Sequence, residues 1–175
     1  VGTIFTDEIE SSQIDSSGWQ GDAQWVDIDG DLDLDLSLIA DQTAPADSSI
    51  VLYTNNGAGV FSSSTAVFNP PPGRHTAISW TDVNNDGDPD LFLPGLTMVH
   101  DNRLYLNEDG NFTDNASALN LIFPDSQQTG TSWVDVDDDG DLDLFIAHMA
   151  PVADRLLLNQ DGSFTDVTTA SNLGW

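Results

Sequence analysis

Three Asp-rich loops carry the clearest chemistry in this chain. Asp82, Asn84, Asp86, Asp88 and Asp90 form one, and Asp135, Asp137, Asp139, Asp141 and Asp143 form another. Both read D-x-[DN]-x-D-G-x-x-D. Oxygen-bearing side chains at alternating positions converge when the chain curls around a hard cation, and calcium accepts roughly 6–8 such ligands. Positions 1, 3, 5 and 9 then offer side-chain oxygens, and position 7 (Asp88, Asp141) offers its backbone carbonyl. Gly87 and Gly140 at position 6 permit the bend. Carboxylates packed this closely repel one another without a cation. Magnesium fits less well, because it prefers strict six-coordination and keeps several waters.

The remaining loop holds Asp27, Asp29, Asp31, Asp33 and Asp35, but Leu32 stands where the other copies have glycine, and Gly30 lies two residues earlier. A leucine in the left-handed region is strained. This site is expected to be weaker, rearranged or empty, so the sequence predicts calcium at two strong sites and one doubtful one. An EF-hand opens the same way but needs Glu at position 12 between two helices. Position 12 here is Leu93 or Ile146, and the flanks alternate like strands.

The loops sit inside a repeat. Each follows a tryptophan by two residues, and Trp25, Trp80 and Trp133 recur at intervals of 55 and 53 residues. A second marker follows each loop: Leu52–Thr65 (LYTNNGAGVFSSST), Leu104–Asp114 (LYLNEDGNFTD) and Leu156–Asp166 (LLLNQDGSFTD). The tail of this marker, FTD, also occurs at Phe5–Asp7. Alternating apolar residues and Gly/Asn/Asp breaks predict four short strands per repeat. In the third they are Thr131–Val136, Leu142–Ala147, Arg155–Asn159 and Ser163–Thr168, with a tight turn at Gln160–Gly162. Asp114–Leu121 is compatible with one helical turn. Four strands in about 50 residues predict an all-β fold of propeller blades, each a four-stranded antiparallel sheet. The divisions are 1–18 (a strand from a preceding blade), 19–70, 71–122 and 123–175. A β-sandwich is the alternative, but it has no need of a repeating loop.

These residues resemble the FG-GAP/VCBS-type repeat, also found in integrin α-subunit propellers; WVDVDDDGDLDLFIA and RLLLNQDGSFTDVT lie close to the family pattern. The resemblance implies calcium held between the first and second strands of each blade. It implies a propeller of about seven blades and a mostly extracellular setting. It also implies roles in adhesion, in glycan binding or as modules beside bacterial enzymes.

Composition narrows the partners. Thirty acidic residues face three arginines and no lysine, a net charge of −27. Such a chain repels nucleic acid and anionic membranes and attracts cations. No apolar run approaches the length of a membrane span, and there is no cysteine to form a disulfide. Calcium-clamped loops suit a secreted or cell-surface location, where the ion is abundant. The three tryptophans are expected to pack between blades. Arg103 and Arg155 are expected to pair with carboxylates, and His100 and His148 to be polar loop residues. No nucleophile–base constellation is readable, so the chain is expected not to be an enzyme. The functions consistent with the pattern are a module for adhesion or for binding an extracellular protein or glycan, a calcium-rigidified spacer, and part of a calcium-dependent polysaccharide lyase or hydrolase. Three blades do not close a ring of the usual four to eight. Further blades are therefore expected from the same or another chain.

Overall fold

In the computed structural model the described residues are 14, 19–41, 48–64, 75, 77–95, 101–123 and 127–171. They form three four-stranded antiparallel sheets, each a simple meander. The first comprises β1 (Trp19–Val26), β2 (Asp35–Asp41), β3 (Ser48–Asn55) and β4 (Phe61–Ser64). The second comprises β5 (Ser79–Thr81), β6 (Asp90–Leu93), β7 (Arg103–Glu108) and β8 (Asn111–Asp114). The third comprises β9 (Gln128–Val134), β10 (Asp143–His148), β11 (Arg155–Gln160) and β12 (Ser163–Asp166). The expected strands of the third repeat are all present, with no end shifted by more than three residues. The Asp-rich loops join the first two strands of each sheet.

The last two strands of the second and third sheets are joined by two-residue turns, Asp109–Gly110 and Asp161–Gly162. Both residues of each turn have positive φ: 53° and 82° in one, 51° and 79° in the other. This handedness matches the twist of the flanking strands, and Asp and Gly are the residues that tolerate it. Residues 115–121 form a single turn of helical type, with Leu119 N donating to Asn115 O at 3.0 Å.

The sheets stack face to face as blades. Ile39, Ile50 and Leu52 of the first blade meet Ile78, Leu91, Leu93 and Tyr105 of the second. Phe92 and Leu104 of the second meet Leu144, Ile146 and Leu157 of the third. Both faces of the middle blade are therefore apolar, which is why β6 reads as an unbroken buried run, Asp90–Leu93. The first strands of successive blades lie side by side. Ile78 N donates to Asp22 Oδ2 at 2.9 Å, and Trp80 N to Gln24 Oε1 at 3.3 Å, so the first strands are also hydrogen-bonded across the junction.

Two tryptophans pack between blades as expected. Trp80 joins the first junction and donates its Nε1–H to Ser37 Oγ at 2.8 Å. Trp133 meets Phe92 edge-on at 5.8 Å and 89°. Trp25 departs from the expectation: it is 57% exposed and touches Phe61 of its own sheet. Trp80 and Trp133 are covered because each has an earlier blade beside it. Among the described residues nothing stands in that position for Trp25. The FTD copy at Phe5–Asp7, His100 and the chain's last four residues lie outside the described residues.

Candidate metal centre

Each loop is curled by its own carboxylates. The position-1 aspartate accepts the amide of position 6 in all three: Leu32 N to Asp27 Oδ2 at 3.0 Å, Gly87 N to Asp82 Oδ2 at 2.9 Å, and Gly140 N to Asp135 Oδ2 at 3.0 Å. The position-5 aspartate accepts the amide of position 7, each time at 2.9 Å. These bonds hold each loop in its curl.

The bend requires the left-handed conformation twice, at positions 4 and 6. Position 4 is Gly30, Asn85 and Asp138, with φ of 74°, 58° and 62°. Position 6 is Leu32, Gly87 and Gly140, with φ of 74°, 99° and 98°. The first loop thus keeps the common geometry with its glycine at the other left-handed position. Leu32 bears the strain, about 1–2 kcal/mol, with its side chain in solvent.

The position-9 aspartate locks the loop to the sheet. Asp35, Asp90 and Asp143 are all at most 1% exposed. One oxygen of each accepts the amide of position 2: Ile28 at 3.0 Å, Val83 at 2.8 Å and Val136 at 2.8 Å. The other accepts the amide of an asparagine at or next to the end of the third strand: Asn55 at 2.7 Å, Asn107 at 2.8 Å and Asn159 at 2.8 Å. Burial pushes the Asp90 carboxyl up to about 6; the amides of Asn107 and Val83 oppose the rise, and the charges of Asp86 and Asp82 add to it. Asp35 is raised by the same balance, burial foremost. Asp137 is raised as well, by desolvation first and then by the charges of Asp139 and Asp143.

These asparagines lie outside the Asp-rich motif yet hold each loop in place. Each side-chain amide also donates to the position-8 carbonyl, Leu34, Pro89 or Leu142, at 3.1–3.2 Å. Each side-chain oxygen accepts an amide of the following turn, Gly57, Gly110 or Gly162, at 3.2, 2.8 and 3.0 Å. One residue thus ties loop, strand and turn together. The signal was present as the fixed Asn in LYTN, LYLN and LLLN. Position 7 holds the same turn from the other side: Asp88 Oδ2 accepts Asp109 N at 2.8 Å, and Asp141 Oδ2 accepts Asp161 N at 2.6 Å. In the first blade Gly57 passes so close to the Asp33 carboxylate that any Cβ there would strike it.

The structure draws Asp27, Asp29 and Asp35 into one acidic triad and Asp135, Asp137 and Asp143 into another, with a carboxylate oxygen from each member within 4.8 Å of the others. A cation–oxygen distance near 2.4 Å puts opposite ligands about 4.8 Å apart, so each triad could hold one metal ion. The first loop, expected to be the doubtful one, assembles the same triad as the third. In the second loop Asn84 replaces the middle carboxylate; its Nδ2 donates to Asp86 Oδ2 at 2.7 Å while its Oδ1 accepts Asp86 N at 3.3 Å. Asp31 and Asp139 lie outside these triads.

The other charged residues take structural positions. Arg103 pairs with Asp114 at 2.8 Å and Arg155 with Asp166 at 2.5 Å, as expected. Arg155 also lies over the Phe123 ring at 4.5 Å. His148 ends β10 and is buried, rather than lying in a loop. His75 is buried with Nδ1 3.2 Å from Pro94 O.

Fold and loops together define a run of propeller-type blades with acidic, cation-sized pockets. The family model for the FG-GAP-like repeat matches residues 27–93, from position 1 of the first loop to the end of β6. This stretch is consistent with an FG-GAP-type repeat, and it contains two of the three loops. Comparison with the curated proteins found no significant match.

Proposed function

We propose that the chain is a calcium-binding propeller module of an exported protein, acting in adhesion or in binding a protein or glycan, without chemistry of its own. The observation that carries the reading is the Asp-rich loop itself. It is built to one hydrogen-bonding plan in three blades and presents only oxygen donors. Calcium is the cation such donors suit best, and position 12 lacks the glutamate of a helix-flanked site. Nearly every clustered aspartate is engaged in the loop, in its amide bonds or in its triad, which leaves no carboxylate pair among the described residues poised for acid–base work.

The gain in stability follows from mass action. A loop with a dissociation constant near ~10 μM in ~1 mM calcium contributes about 2.7 kcal/mol. Thermal melting with excess EDTA and with ~1 mM calcium tests this. The expected result is a higher melting temperature with calcium and little response to magnesium. Superimposable curves would remove calcium from the account. Screening the calcium-loaded protein against glycan and extracellular-protein arrays tests the binding role.

A further inference from the structure

A cleft of about 340 Å³ opens at the junction of the first and second blades. Its floor is apolar, formed by Ile28 and Leu52 of the first blade and Phe112 of the second. Its rim is acidic, formed by Asp29, Asp88 and Asp109. The volume lies at the lower end of the range for small-ligand sites, roughly 300–1,000 Å³.

The next junction shows why this cleft is open. There Asn85 at position 4 donates to Asp141 Oδ1 at 2.8 Å, bridging two successive loops. The corresponding residue of the first loop is Gly30, which has no side chain to reach Asp88. Asn159 Nδ2 also reaches back to Val83 O at 3.0 Å. Leu106, packed into the second junction, stands where β3 has Thr54, and Thr54 lines the cleft. Gly30 and Thr54 therefore leave a space that the repeat elsewhere fills.

We propose that this cleft binds an ammonium or guanidinium group carried on a short aliphatic stem. A bare metal ion has no use for the floor of Ile28, Leu52 and Phe112, and a neutral apolar ligand has no use for three carboxylates. An aliphatic cation satisfies both: its stem covers the floor and its head meets the rim. The chemistry is that of a lysine or arginine side chain on a partner protein, or of a free polyamine. Asp29 belongs to the first acidic triad, Asp88 stands at position 7 of the second loop with its carboxylate outside both triads, and Asp109 lies in neither loop. Asp88 and Asp109 carry the remaining charge, so the inference goes beyond the calcium reading and is separable from it.

The test is titration of the calcium-saturated protein, followed by amide NMR, with n-butylamine, agmatine, n-butanol and butyrate, and in parallel with a lysine-containing peptide blocked at both ends. The cations should shift Thr54, Gly110 and Phe112 saturably while butanol and butyrate do not. A tighter fit for the peptide or for agmatine identifies the source of the cation. Thr54→Leu, which copies the next blade, should weaken binding at least about tenfold and leave calcium affinity unchanged. Asp109→Asn, tolerated at a left-handed position, should weaken it about fivefold. Equal shifts from butanol and butylamine, displacement of the amine by further calcium, or full binding by both variants would overturn the proposal.

Discussion

The side-chain amide of Asn159 in the third blade donates to the backbone carbonyl of Val83 in the second, at 3.0 Å. Asn159 is fully buried and also holds its own loop through Asp143 and Leu142. It thereby joins two blades and two Asp-rich loops. Truncation would leave several buried backbone groups unpaired, each costing roughly 1–3 kcal/mol. Asn159→Ala should therefore destabilise by about 2–4 kcal/mol, and Asn55→Ala, at a more exposed site, by less. Urea denaturation of both variants measures the difference; equal, small losses would contradict this function for the asparagine.

The two left-handed positions of the loop give a prediction of opposite sign. Leu32 has φ of 74° and is 89% exposed, so its side chain contributes strain and no packing. Leu32→Gly should stabilise the protein by about 1 kcal/mol, while Gly140→Ala should destabilise by a similar amount. Melting temperatures of the pair check this, and a drop for Leu32→Gly would show that the side chain has a use the fold does not reveal.

The tryptophans separate by their neighbours. Trp80→Ala removes a residue packed in the first junction and bonded to Ser37, and should cost about 3–5 kcal/mol. Trp25→Ala removes a mostly exposed ring and should cost under about 1 kcal/mol. Comparable losses would mean that Trp25 is covered in solution, as by a further blade.

Asp166 provides a pH prediction. Partial burial alone would raise its pKa, but the hydrogen bonds from Thr168 and the Arg155 guanidinium outweigh it and hold the carboxyl below its ordinary value of 3.8. A depressed folded pKa contributes stability above the unfolded value, lost as pH falls through the folded one. The pair is partly exposed, so solvent screening limits it to about 1 kcal/mol. Asp166→Asn should lower the melting temperature at pH 7 and have a smaller effect near pH 3. An equal effect at both would show that the charge is irrelevant.

Much of this was legible in the residues. The alternation of Val, Leu and Phe with polar residues, cut by Asp-Gly and Asn, located the strands of the third repeat to within three residues. The loops announced themselves because their ligand chemistry is local in sequence. What stayed hidden was long-range. The Asn159–Val83 bond spans two blades, and no short motif encodes it. The burial of Trp80 and the exposure of Trp25 differ although their sequence surroundings match, because burial depends on what stands alongside. Leu32 misled for another reason: the glycine of its loop stands at position 4, the other place where positive φ is needed.

Isothermal calorimetry on metal-stripped protein reads calcium binding by the loops without an intermediary. Calcium should bind with sites at the first and third loops, where three carboxylates converge. The second loop should be weaker, because Asn84 lowers its charge and affinity follows ligand charge. Asp135→Asn should abolish one site and leave the others intact. No saturable heat with calcium, or unchanged stoichiometry in Asp135→Asn, would contradict the account.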